Sequence, residues 1–223
     1  MTIIKSNFYF TLFSCKNTAM KKLRIGLWIF VLLAAIIFIA LNLPEKGKTD
    51  GVALTPIAGF NQGSHFTLTD HNGEIFNSQE QLGEGEYGLL FFGFTHCPAI
   101  CPTELQKFAV VMDSLPDNVA AKVTPIFITI DPERDTTEMM KEYVPLFHDR
   151  IIGLTGDLAT IHQTLNDWKI FFTKIDDPSL SEYTMDHSTY SYLVDHEMQI
   201  LGLYRLKTSA DEITDHIIKT VSR

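Results

Sequence analysis

Apolar positions along this chain follow more than one rhythm. Ile25 to Leu43 is a run of nineteen residues without a charge. A helix of that length spans roughly 28 Å, close to the ~30 Å hydrocarbon thickness of a bilayer. Lys21, Lys22 and Arg24 precede it, so the positive-inside rule puts the amino terminus in the cytoplasm. The run is long for a signal-peptide core and no A-x-A site follows it. We therefore expect a cytoplasmic segment at 1–24, an uncleaved transmembrane anchor at 25–43 and everything after Pro44 outside the cytoplasm. That is a single-pass protein of the cytoplasmic (inner) membrane. Met20-Lys21-Lys22-Leu23-Arg24 is itself a candidate start, which would make residues 1–19 a start-site over-call.

After a polar linker at 44–50, shorter periods take over. A hairpin is expected from His65 to Asp70 and Glu74 to Phe76 around an Asn72-Gly73 turn. Leu89 to Phe92 is continuously apolar, as in a buried strand, and Leu105, Phe108, Ala109 and Met112 then recur at helix spacing over Thr103 to Leu115. A second apolar strand covers Val123 to Ile130. One helical stretch aligns Met140, Tyr143, Val144 and Phe147, disturbed at Pro145, and another aligns Leu158, Ile161, Leu165, Trp168 and Phe172. Strands at Ser188 to Val194 and Gln199 to Arg205 flank a short polar turn. A last helix opens on a capping box, Ser209 with Glu212. The order βα, βα, α, ββ, α gives an α/β fold: a thioredoxin-like domain over 51–223, with an extra N-terminal hairpin, preceded by one transmembrane helix.

Charge divides at the same boundary. Residues 51–223 hold eleven Lys and Arg against twenty-five Asp and Glu. So acidic a domain argues against nucleic acid and against lying flat on anionic lipid. Gly83-Glu84-Gly85-Glu86-Tyr87-Gly88 matches a phosphate-loop pattern in letters only. It precedes its strand, and its two carboxylates would repel a phosphate.

The chemistry gathers at Cys97-Pro98-Ala99-Ile100-Cys101-Pro102, where a strand ends and a helix begins. Helix N–H groups there favour thiolate over thiol. Pro102 can open the helix because its missing N–H would have no partner. Such a pair is either a redox disulfide or half of a soft-metal site. Three cysteines are too few for a disulfide scaffold, and we read Cys15, before the apolar run, as incidental. His187 stands just before the strand at 188, in the loop that faces the cysteine helix in this fold. Disulfide enzymes of the fold place a cis-proline there, but position 186 is Asp and the nearest upstream proline is Pro178. Two thiolates and an imidazole suit copper, as Cu(I) or Cu(II); zinc could use the same set with a fourth ligand. His96 adjoins Cys97 but is expected to point off the shared face, and the remaining histidines show no ligand spacing.

Three segments carry a resemblance: Gly93-Phe94-Thr95-His96-Cys97-Pro98 with Cys101-Pro102, Asp131-Pro132-Glu133-Arg134-Asp135-Thr136, and Asp186-His187-Ser188 followed by Tyr192-Leu193-Val194-Asp195. In this order they resemble the Sco/SenC proteins, membrane-anchored copper chaperones of cytochrome c oxidase assembly. The resemblance implies Cys97, Cys101 and His187 as copper ligands, with Asp131 orienting them from outside and Cys97–Cys101 able to form a redox disulfide. It implies a non-enzyme that delivers copper to the binuclear copper-centre subunit of a respiratory oxidase, with a thiol reductant protein as a second partner. The rival readings are a thiol–disulfide reductase acting on that subunit's cysteines, or a redox or copper sensor. Ala99 and Thr137 depart from residues common in the family, and neither is among the implied ligands.

Overall fold

Strand β4 (Tyr87–Gly93) lies at the centre of the main sheet, and every residue after its first is buried. A strand apolar on both sides must be covered on both faces. Phe91 stacks on Phe127 and meets Phe108 edge-on, while Phe92 turns to the opposite face against Trp168 and Tyr192. The computed structural model describes residues 22–35, 38, 52–53, 61–176 and 182–222.

The chain forms two compact units, Met1–Lys48 and Thr49–Arg223. In the first, residues 22–35 form helix α1, which exposes Trp28 and Phe30. No helix among the described residues is long and apolar enough to cross a membrane. The span expected at 25–43 runs on into positions outside the described residues, as does the linker.

The second unit contains β1 (Val52–Ala53), the hairpin β2 (Thr67–Asp70) and β3 (Ile75–Asn77), helix α2 (Ser78–Gln81), β4, α3 (Ile100–Ser114), α4 (Asp117–Ala120) and β5 (Val123–Thr129). It continues through α5 (Thr137–Tyr143), β6 (Ile152–Thr155), α6 (Leu158–Asp167), β7 (Phe172–Ile175), β8 (Thr184–His187), β9 (Ser191–Asp195), β10 (Ile200–Tyr204) and α7 (Ala210–Val221). Eight strands make one sheet in the order β1-β10-β9-β4-β5-β6-β2-β3. β4, β5 and β6 are parallel, joined through helices; β9 runs antiparallel to β4, and β2 to β6. The expected N-terminal hairpin therefore extends the sheet at one edge. Its turn depends on Gly73, whose φ of +87° is strained for any residue with a Cβ.

Several boundaries move. α5 ends at Tyr143 and a 3-10 turn, Val144–Leu146, follows at Pro145. β6 is a third parallel strand absent from the expected order, too short at four residues, one a glycine, to show a period. Phe172, expected to prolong a helix, instead opens β7. The α6 helix ends before Lys169, whose φ is +55°. β7 pairs only with β8, so Phe172–Ile175 and Thr184–His187 form a separate two-stranded ribbon. His187 is the last residue of that ribbon; it does not abut the next strand, which starts at Ser191.

Candidate metal centre

Gly93, the end of β4, lies directly beneath the thiols. A Cβ here would come 2.7 Å from Cys101 Sγ and 2.9 Å from the Phe127 ring, so glycine makes the room the sulfur occupies. The chain turns through Phe94 to Ala99 and enters α3 at Ile100, earlier than the apolar spacing indicates. Cys101 is thus inside the helix and wholly buried, while Pro102 is still in the first turn, where a missing N–H costs nothing. Ala99 at the N-cap offers no side-chain acceptor. The Cys97 sulfur takes that part, accepting the Cys101 N–H at 3.4 Å.

This asymmetry separates the two thiols. A hydrogen bond from the Cys101 thiol, helped by backbone N–H groups of Cys101, Ala99 and Ile100, draws the Cys97 pKa down to about 5 against the effect of burial. Cys101 is driven far up, first by its hydrogen bond to Cys97 and then by burial. The reduced pair therefore holds one thiolate, at Cys97, and one proton, at Cys101. Both cysteines are free thiols in this structure.

His187 reaches the sulfurs from the ribbon. Its Nε2 lies 4.0 Å from Cys101 Sγ, and its Nδ1 lies 2.8 Å from the Ser188 carbonyl oxygen. A carbonyl can only accept, so Nδ1 carries the ring proton and Nε2 presents a lone pair toward the thiol. Burial depresses the imidazole pKa and keeps the ring neutral. Phe94 meets it edge-on at 5.9 Å. Cys97, Pro98, Ile100, Met185 and His187 share a cavity of about 250 Å³. Among the described residues no three His, Cys, Asp or Glu side chains already converge closely enough to hold a metal ion, so thiols and imidazole stand side by side without a closed ligand set. Two sulfurs, one already a thiolate, and a neutral imidazole are the donors a soft copper ion takes.

Asp131, the expected outer-shell residue, contacts neither sulfur nor imidazole among its hydrogen bonds. It accepts from Arg134 Nε at 2.6 Å and from the Tyr183 hydroxyl at 2.8 Å. The carboxylate on the cysteine side is Asp135, which receives the Thr95 N–H and hydroxyl and the Thr129 hydroxyl. Burial raises its pKa. Asp135, Arg134 and Tyr183 were not singled out by sequence reasoning, although the first two sit in the Asp131–Thr136 motif. His96 pairs with Thr95 and faces Asp135 at 3.9 Å. Most other histidines serve local structure: His65 meets Ser78, His71 accepts the Gly153 N–H, His148 accepts the Arg150 N–H, His162 packs on Phe172 and His216 bonds Tyr204.

A strand–turn–helix carrying two cysteines over a mixed sheet, closed by the β9–β10 hairpin and α7, defines a thioredoxin-like protein whose cysteine turn faces an imidazole. Residues 55–222 match the family model SCO1/SenC, and the chain belongs to that family of copper proteins for cytochrome oxidase assembly. The family's assembly and chaperone proteins are generally not enzymes. The chain is 38% identical to the "SCO2-like protein" of Rickettsia felis, over 82% of this chain and 88% of that one. It is 36% identical to "Protein SCO1 homolog 1, mitochondrial" of Arabidopsis thaliana over 71% of this chain, and the match spans about half (47%) of that longer relative. A crystal structure of Arabidopsis ScoI with copper bound superposes with a TM-score of 0.66 at 37% identity, covering 72% of this chain and 98% of that one.

Proposed function

We propose that this protein is a copper chaperone, tethered to the cytoplasmic membrane by a span at 25–43, whose domain over 51–223 works on the extracytoplasmic side. It passes copper to the binuclear copper-centre subunit of a respiratory oxidase and is not an enzyme. Copper is its cargo. Cys97 and Cys101 supply the sulfurs, His187 the imidazole, and Asp131 acts outside the ligand set through the groups it holds. The observation that carries the reading is the His187 ring, tied at Nδ1 to a backbone carbonyl and presenting Nε2 4.0 Å from Cys101 Sγ. Metal-binding histidines are commonly oriented through the other ring nitrogen in this way.

The test is copper loading of the reduced, detergent-solubilised chain, followed by mixing with an apo oxidase copper domain without oxygen while copper and thiols are followed separately. One copper ion per chain, a sulfur-to-Cu(II) charge-transfer band and stoichiometric transfer are expected. Tight tetrahedral zinc in place of copper would sink the assignment.

A second reading is favoured by the thiol asymmetry: a depressed Cys97 and an elevated Cys101 also suit an attacking and a resolving thiol. In that case the same mixture would show catalytic disulfide reduction and no copper movement. A thiol reductant protein is a partner under both readings, since the pair must be reduced before either activity.

A further inference from the structure

The ribbon that carries His187 has little of its own to hold it. It is two strands outside the main sheet, and isolated two-stranded ribbons are marginal in water. Yet its last residue must stand at one distance from sulfurs fixed in the core. What fastens it begins at Tyr183, the residue before β8. The Tyr183 hydroxyl donates to Asp131 at 2.8 Å, and Arg134 Nη1 donates to the Tyr183 carbonyl at 2.8 Å. Over the ring lie two cations, the Arg134 guanidinium and the Lys174 ammonium, each 3.7 Å from the centroid. Lys174 comes from the paired strand β7 and reaches Glu133 at 3.3 Å.

Arg134 Nη2 is buried with no hydrogen-bond partner among the described residues. A buried donor left unpaired costs free energy even though Nε and Nη1 of the same guanidinium are bonded. The aromatic faces of Tyr183 and, at 5.8 Å, Phe94 offset that loss. Phe94 is also the ring that meets His187 edge-on.

The same loop grips the other half of the site. Asp135 holds the N–H and hydroxyl of Thr95, two residues before Cys97. The segment Asp131–Thr136 thus has one end on the cysteine turn and the other on the ribbon. Tyr183 immediately precedes β8, at whose other end His187 stands, so an anchor at 183 bears on the position of 187.

We propose that Tyr183 is a positioning residue for His187: clasped by Asp131, Arg134 and Lys174, it sets the distance between the imidazole and the sulfur pair and so tunes how tightly copper is held. The proposal rests on the reading of His187 as a copper ligand. Tyr183→Leu removes ring and hydroxyl; Tyr183→Phe keeps the ring contacts and loses only the bond to Asp131.

The experiment is a double-mutant cycle on the full chain in detergent, reading Cu(I) affinity by competition with a chromophoric chelator. Tyr183→Leu should weaken binding about tenfold when His187 is present, in the usual range for groups that orient a ligand, and less than about twofold in a His187→Ala background. Tyr183→Phe should fall between wild type and Tyr183→Leu. In the metal-free protein, acylation of His187 by diethyl pyrocarbonate, located by peptide mass, should run several-fold faster in Tyr183→Leu, while alkylation of Cys97 stays at the wild-type rate. Equal losses of affinity in both backgrounds would mean a general loss of structure and overturn the proposal. So would an unchanged acylation rate in Tyr183→Leu. If wild type takes up no copper, the metal-site reading fails, and the acylation rates alone decide the clasp.

Discussion

The sulfur side of the site grows out of the most deeply buried part of the molecule, whereas the imidazole side hangs on a ribbon of half-exposed strands. Gly93, Phe91, Phe127 and Cys101 are packed so closely that a single added methyl group would collide with the sulfur. In β7 three of four residues are exposed, and in β8 only Asp186 is fully so, with none buried. Under the proposed function, which asks the site both to hold a metal ion and to release it, the difference matters. Core packing gives the sulfurs one position, because a close-packed interior does not deform by degrees. The imidazole is placed by polar and cation–aromatic contacts, with Phe172 and Met185 only partly buried against the core, and local changes can alter that position at smaller cost. We read the sulfurs as the permanent seat of the cargo and His187 as its adjustable latch.

The largest expected effect lies on the sulfur side. Phe91→Ala should destabilise the domain by ~3–5 kcal/mol, as large-to-small core changes do, whereas Phe172→Ala on the half-exposed ribbon should cost under about 1 kcal/mol. Chemical denaturation of both variants checks this, and comparable losses would erase the contrast. Gly93→Ala should come next, at ~1–3 kcal/mol, from overpacking against Cys101 Sγ and the Phe127 ring. Because the displaced atom is the sulfur itself, copper retention should fall in the same variant; full retention would show that the sulfur has room to spare.

His187→Ala should shift stability by no more than about 1 kcal/mol while weakening copper binding, most for Cu(II), which depends more on imidazole. His96→Ala should do far less, as its partners are Thr95 and Asp135. Equal loss from both would move the third ligand elsewhere. The finest test concerns protons. A thiol is inert below its pKa and nucleophilic above it, and Cys97 is drawn down to about 5. Alkylation of the reduced, metal-free protein should therefore rise through a midpoint near pH 5, at Cys97 alone, with Cys101 silent because it is buried and elevated. A midpoint near the usual ~8.5 would remove the asymmetry on which the reductase reading leans.

Much of this was legible in residue order. The apolar run Leu89 to Phe92, the helix spacing after Cys101, the Asn72-Gly73 turn and the Ser209–Glu212 capping box all depend on neighbours a few positions apart, and each is present, the helix starting three residues earlier than its spacing indicates. The nearness of Cys101 and His187, eighty-six positions apart, followed from the order of elements in the fold and not from any local pattern. β6 and the β7–β8 ribbon left no such trace, since Ile-Gly-Leu-Thr and Thr-Met-Asp-His carry neither alternation nor length. They are strands only because a partner strand lies beside them.

By itself, then, the sequence determined the strand and helix that deliver the two thiols, because short-range periodicity and turn chemistry suffice for those. Only the tertiary structure decided which sulfur keeps the proton, which ring nitrogen faces it, and that Asp131 answers to Arg134 and Tyr183 while Asp135 serves the cysteine turn. Those outcomes turn on burial, on close approach of side chains, and on hydrogen bonds that range from the adjacent His187–Ser188 pair to Tyr183 and Asp131, fifty-two residues apart. None of the three has a period that a one-dimensional pattern can display.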